Sequence, residues 1–126
     1  MRAVDTNLLV RLITRDDPRQ ADAAEAFVSK GAWVSHLVLA DAVWVLDSVF
    51  RLKRQQIAVA VGMLIEHEHL TIQDADVVEA ALSAFRGKPS LGFTDCLVLA
   101  IARKAGHVPL GTFDRRLSML EGTELV

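Results

Sequence analysis

The sequence predicts an α/β fold in which a parallel sheet is flanked by helices, in a single domain spanning residues 1–126. Three observations carry this. Short apolar segments alternate with longer stretches of helical periodicity, the rhythm of parallel strands joined by helices. No linker, repeat or low-complexity run interrupts that rhythm, and the three prolines are scattered at Pro18, Pro89 and Pro109. With 126 residues and an apolar fraction of 52 %, the chain suits one domain that buries about two thirds of the surface its unfolded form exposes.

Strands are expected at 2–4, 33–35, 70–72, 108–110 and 124–126, each a short apolar run. Helices are expected over 6–13, 18–29, 37–51, 54–67, 75–85 and 94–105, with a short turn over 115–120. Their ends carry recognisable signals. Pro18 suits a first helical turn behind Asp17, Asp74 suits a cap for the segment that follows it, and Gly87 and Gly106 suit helix exits.

Composition narrows the class further. The longest apolar stretches, such as 37–46 and 96–102, are broken by charge well before the roughly 20 residues that a membrane span requires. The opening Met1-Arg2-Ala3-Val4-Asp5 lacks the pattern of a secretory signal, so a cytoplasmic location is expected. Cys96 is the only cysteine, which excludes an internal disulfide and a multi-cysteine zinc site and reads as a small buried hydrophobe. A net charge of −2 gives no global basic field, so charge balance alone does not point to nucleic acid.

Four aspartates stand in apolar sequence: Asp5 in V-D-T-N, Asp41 in L-A-D-A-V-W, Asp95 in F-T-D-C-L and Asp114 in G-T-F-D-R-R. A carboxylate removed from water costs several kcal/mol unless a cation or donors compensate it, and a divalent metal is the simplest shared compensation. Asp5 and Asp114 each follow an expected strand, the end at which parallel sheets gather ligands. Asp41 and Asp95 fall in expected helices, Asp41 on a face whose neighbours Leu37, Trp44 and Val45 suggest burial. Thr6, Asn7 and Thr112 beside them offer neutral oxygens.

Each of these residues also has an ordinary structural role open to it. Asp5 and Asp114 suit helix N-caps, Asp95 a first-turn acid, Asp41 a buried pair with an arginine, and Thr6, Asn7 and Thr112 turn chemistry. Asp47 and Arg51 have the spacing of a surface ion pair along a helix. His67 and His69 diverge on a helix, which argues against zinc. Phe27, Trp44, Phe50 and Phe85 read as core, and no interleaving of aromatic and basic residues suggests a single-strand binder.

Together these positions resemble a PIN-domain ribonuclease, most closely a VapC-type toxin of a type II toxin-antitoxin pair. The segments V-D-T-N-L-L-V-R, V-L-A-D-A-V-W-V-L, F-T-D-C-L-V-L-A-I-A-R and G-T-F-D-R-R-L carry the likeness by their order and spacing. The resemblance implies a PIN-like α/β/α sandwich with a five-stranded parallel sheet, often paired as a homodimer and bound by a small antitoxin. It implies that Asp5, Asp41, Asp95 and Asp114 are the acidic quartet, supported by Thr6, Asn7 and Thr112. Asp41 stands where the family usually has glutamate, and Gly92 where it often has another acid.

An oxygen-only ligand set suits Mg²⁺ or Mn²⁺, so the expected activity is metal-dependent endoribonucleolytic cleavage of an RNA substrate. A PIN-fold module that binds RNA or antitoxin without turnover is the alternative. A phosphoacceptor receiver domain fits less well, because the acidic pair expected at its first strand end is missing. Neither G-x-G-x-x-G nor a P-loop pattern occurs.

Overall fold

The computed structural model describes all residues, 1–126, and its contacts divide the chain into two compact units, Met1–Ala75 and Asp76–Val126. The first holds β1 (Arg2–Ala3), α1 (Thr6–Thr14), α2 (Pro18–Val28), β2 (Ala32–Val34), α3 (His36–Ser48), α4 (Arg54–Glu66) and β3 (Leu70–Ile72). The second holds α5 (Ala75–Gly87, entered at the boundary), α6 (Phe93–Ala105), β4 (Leu110–Thr112), a 3-10 turn (Leu117–Met119) and β5 (Thr123–Leu125).

The predicted alternation is present, and every strand pair is parallel. Hydrogen bonding groups the strands as three and two rather than as one ladder of five. In the first unit the order is β1-β2-β3, with Ala3 opposite Trp33 and Trp33 opposite Thr71. In the second, β4 pairs β5 with Gly111 opposite Glu124. β2 and β3 alternate buried, exposed, buried, whereas no residue of β4 or β5 is buried.

Local chemistry explains where the elements start and stop. Asp17 accepts a hydrogen bond from the Gln20 amide at 3.2 Å with Pro18 in the first turn, the expected opening of α2. Gly106 closes α6 in the left-handed conformation at φ 83°, where the His107 amide reaches back to the Ala102 carbonyl at 2.9 Å. β4 begins two residues later than expected because Pro109 has no N–H to give a ladder. Leu110 is the first residue that pairs.

α3 also stops short of its expected end. The chain reverses at Arg51, whose φ is 54°, and the Leu52 amide caps the Leu46 carbonyl at 3.0 Å. The ion pair expected between Asp47 and Arg51 is therefore not formed, because Arg51 has left the helix. Leu9, Val10, Val34, Leu39, Leu46 and Val61 are fully buried in the first unit. In the second, Val78, Phe85, Phe93 and Cys96 are buried, and the Phe85 and Phe93 rings meet edge to face at 5.9 Å. Cys96 is thus the small buried hydrophobe the sequence suggested.

Candidate active site

In the first unit Asp5 follows β1 and opens α1. Its backbone is extended, at φ −97° and ψ 177°, and its Oδ1 accepts the Leu8 amide at 3.0 Å. The capping role is real, and it engages one carboxylate oxygen in a side chain that is otherwise exposed. Thr6 and Asn7 are the first two helical residues, Thr6 half-buried and Asn7 exposed. Asn7 borders a depression of about 360 Å³ between α1 and α2, together with Leu8, Arg11, Gln20 and Phe27.

Asp41 is exposed, which corrects the expectation of a buried face. α3 turns Leu39, Ala42, Val43 and Leu46 inward, and Asp41 shares the opposite side with Leu37, four residues before it, and Trp44, three residues after. The helix is apolar on nearly every side, so its pattern did not reveal which face is inward. Trp44 is 65 % exposed, a second correction, while Phe27 and Phe50 are half-buried and Phe85 is buried as expected.

In the second unit α6 carries Asp95 as its third residue, behind an N-cap, Gly92, that supplies no side-chain bond. Asp95 is half-buried, and its carboxyl is pushed above the ordinary value of 3.8, first by burial and then by the negative charge of Asp114. Asp114 follows β4 and is itself exposed. Its Oδ1 accepts the Arg116 amide at 2.8 Å and the Leu117 amide at 3.3 Å, and its own amide donates to Thr112 Oγ1 at 3.0 Å. Thr112 therefore fixes the backbone of Asp114 rather than its carboxylate.

No charged or polar residue is buried outright, so none of the four aspartates carries the full desolvation cost that their apolar sequence settings suggested. The apolar neighbours of Asp5 and Asp41 pack on other sides of the same elements. No group of three or more His, Cys, Asp or Glu is arranged as a metal cage. Asp114 is the one candidate whose charge bears on another, at Asp95. That pair suits a hard divalent cation: Mg²⁺ keeps much of its water and is held through one or two carboxylates more often than by an all-protein shell. A cation there would relieve the repulsion that Asp95 feels.

Sequence reasoning passed over Phe113. It is 84 % exposed in the turn that carries Asp114, and Arg115 and Arg116 follow with no side-chain hydrogen bond or ion pair. An aromatic residue between a strand end and a turn aspartate was the available signal, since a turn there offers no core to fill.

No helix is long and apolar enough to cross a membrane. No curated protein and no solved structure matches the chain. The family model described as PIN domain matches residues 2–122. The strand-end and helix-start aspartates thus lie within one matched span: the chain belongs to the PIN domain family, whose members are generally nucleases that use divalent metal ions.

Proposed function

We propose that this chain is a metal-dependent endoribonuclease, the VapC-type toxin of a toxin-antitoxin pair, acting in the cytoplasm as one PIN domain over residues 1–126. The observation that carries the reading is the PIN-domain match over residues 2–122, within which half-buried Asp95 on α6 feels the charge of Asp114 after β4. Such a pair is held at an electrostatic cost that a cation removes.

Asp5, Asp95 and Asp114 are assigned to holding Mg²⁺ or Mn²⁺, and Asp41 to ligation or to orienting water. Bound there, the metal supplies Lewis acidity that activates water and offsets charge on the phosphate. Water oxygen forms a bond to phosphorus as the bond to the 3′-oxygen breaks, leaving a 5′-phosphate on one product and a 3′-hydroxyl on the other. Asp5 and Asp114 each engage one oxygen with backbone amides, which fixes the carboxylate and leaves the other oxygen for this work. Thr6, Asn7 and Thr112 support them, Thr112 through the Asp114 amide.

A second copy of the chain and a small antitoxin are the proposed protein partners. Leu37 and Trp44 on α3, and Val59 and Met63 on α4, stand exposed in the first unit and support a protein contact there.

The test is cleavage of end-labelled RNA by purified, antitoxin-free protein in Mn²⁺, Mg²⁺ and EDTA, beside Asp5→Asn. Asparagine keeps an oxygen for the Leu8 amide, so this variant separates charge from capping. Metal-dependent cutting that disappears in the variant is expected. Full activity in Asp5→Asn overturns the assignment, and RNA binding without cutting by the wild type favours a non-catalytic binding module.

A further inference from the structure

The turn after β4 presents three side chains that the fold does not use. Phe113 has the largest exposed fraction among the large hydrophobic residues, 84 %. Arg115 and Arg116 are exposed and make no side-chain hydrogen bond or ion pair, while Arg2, Arg11, Arg15, Arg103 and Lys104 are all engaged. The backbone beneath them is nonetheless well fixed. Asp114 bonds Thr112 on one side and the amides of Arg116 and Leu117 on the other, the Ser118 amide returns to the Asp114 carbonyl at 3.0 Å, and Leu117 is buried.

A rigid turn that holds one aromatic face and two free guanidinium groups in water has the composition of a single-strand nucleic-acid contact. Bases offer flat faces to an aromatic ring and phosphates offer paired oxygens to arginine. An apolar protein partner is a poorer fit, since it would bury two guanidinium groups with nothing to compensate them. A base inside a duplex keeps its faces stacked, so the ring selects an unpaired one.

We propose that Phe113, Arg115 and Arg116 form the RNA-holding element of this protein, with Phe113 stacked on an unpaired base and the two arginines on flanking phosphates beside Asp114. The inference rests on the nuclease reading for its choice of RNA and names the residues that hold it. It also reverses the expectation that aromatic and basic residues are not interleaved here. Phe113 is a substrate-binding residue, since it stacks on a base and takes no part in the bond change.

The test is binding of a 12-nucleotide single-stranded RNA containing 2-aminopurine, in EDTA so that nothing is cut, by the full chain. Wild type and Phe113→Trp should quench the fluorophore, while Phe113→Ala should bind about tenfold more weakly and quench less. Arg115→Ala with Arg116→Ala should flatten the dependence of log affinity on log salt by about 1.4, at about 0.7 per phosphate on a single strand. Equal affinity and quenching in Phe113→Ala overturns the proposal, as does a wild type that binds no RNA.

Sedimentation of the same proteins closes the remaining route. A Phe113→Ala variant that loses dimerisation and keeps its RNA affinity makes the ring a protein contact and overturns the proposal. The two readings fail separately. Binding that depends on Phe113 in a protein that cuts nothing removes the nuclease, whereas cutting and binding indifferent to Phe113 remove this element.

Discussion

In the hairpin of α1 and α2, Arg11 reaches Asp16 at 3.2 Å and Gln20 at 2.7 Å, and Arg15 reaches Asp22 at 2.9 Å and Glu25 at 2.6 Å. In the turn after β4, Arg115 and Arg116 reach nothing, and Asp114 adds its charge to that felt by Asp95. The two regions are built from the same residue types, and in both an aspartate accepts backbone amides, Asp17 in the hairpin and Asp114 in the turn. They differ in whether charge is matched within the chain. In the hairpin the Thr14 hydroxyl, and then the Arg11 charge, hold Asp16 below the ordinary carboxylate range. On α6, Asp95 is held above it by burial and then by the charge of Asp114 in the turn. Charges matched at home help fix a fold, and charges left unmatched on a fixed backbone are available to a ligand.

The largest expected effect separating the two regions lies in the core. Leu46→Ala, at a fully buried site of α3, should cost about 2–5 kcal/mol in urea unfolding. Phe113→Ala, read beside it, should leave the unfolding midpoint unchanged. Equal losses for the two would mean that the turn is structural rather than free for a ligand.

A smaller effect separates the two uses of Asp5. Asp5→Ala removes the acceptor for the Leu8 amide and should lower stability by about 0.5–2 kcal/mol, whereas Asp5→Asn keeps an acceptor and should stay close to wild type. Thermal unfolding of both variants reads this directly. A large loss in the asparagine variant would show that the charge itself serves the fold.

The smallest effect is a pH dependence with a definite sign. Because the folded Asp95 carboxyl titrates above 3.8, the native state prefers its protonated form. Its stabilising contribution is complete below that ordinary value and is lost as pH rises through the raised one. Asp95→Asn should therefore gain stability relative to wild type as pH increases across that window. A gain on acidification instead would mean that Asp95 is held by a cationic partner.

Much of this was legible in the sequence because local rules coincided with global ones. Leu70–Ile72 was located without error, since a short apolar run there lies between a polar helix exit and a capping segment. Three other strands fall within one residue at each end. β4 slipped because apolar Val108 looked like strand while Pro109 withheld its amide. The end of α3 was hidden because Arg51 takes the left-handed turn that glycine usually marks. Asp5, Asp95 and Asp114 were visible at strand ends and a helix start. The outward face of Asp41 was not, because α3 carries apolar residues on nearly all sides and tertiary packing chose among them.

Binding of Mn²⁺ by wild type, Asp95→Asn and Asp114→Asn, followed by calorimetry across pH, tests most directly whether the unmatched carboxylates form a cation site. Wild type should bind Mn²⁺ with an affinity that falls as acid protonates Asp95, and each asparagine variant should bind far more weakly. Identical Mn²⁺ binding in all three proteins, or none in wild type, would contradict a cation site at Asp95 and Asp114.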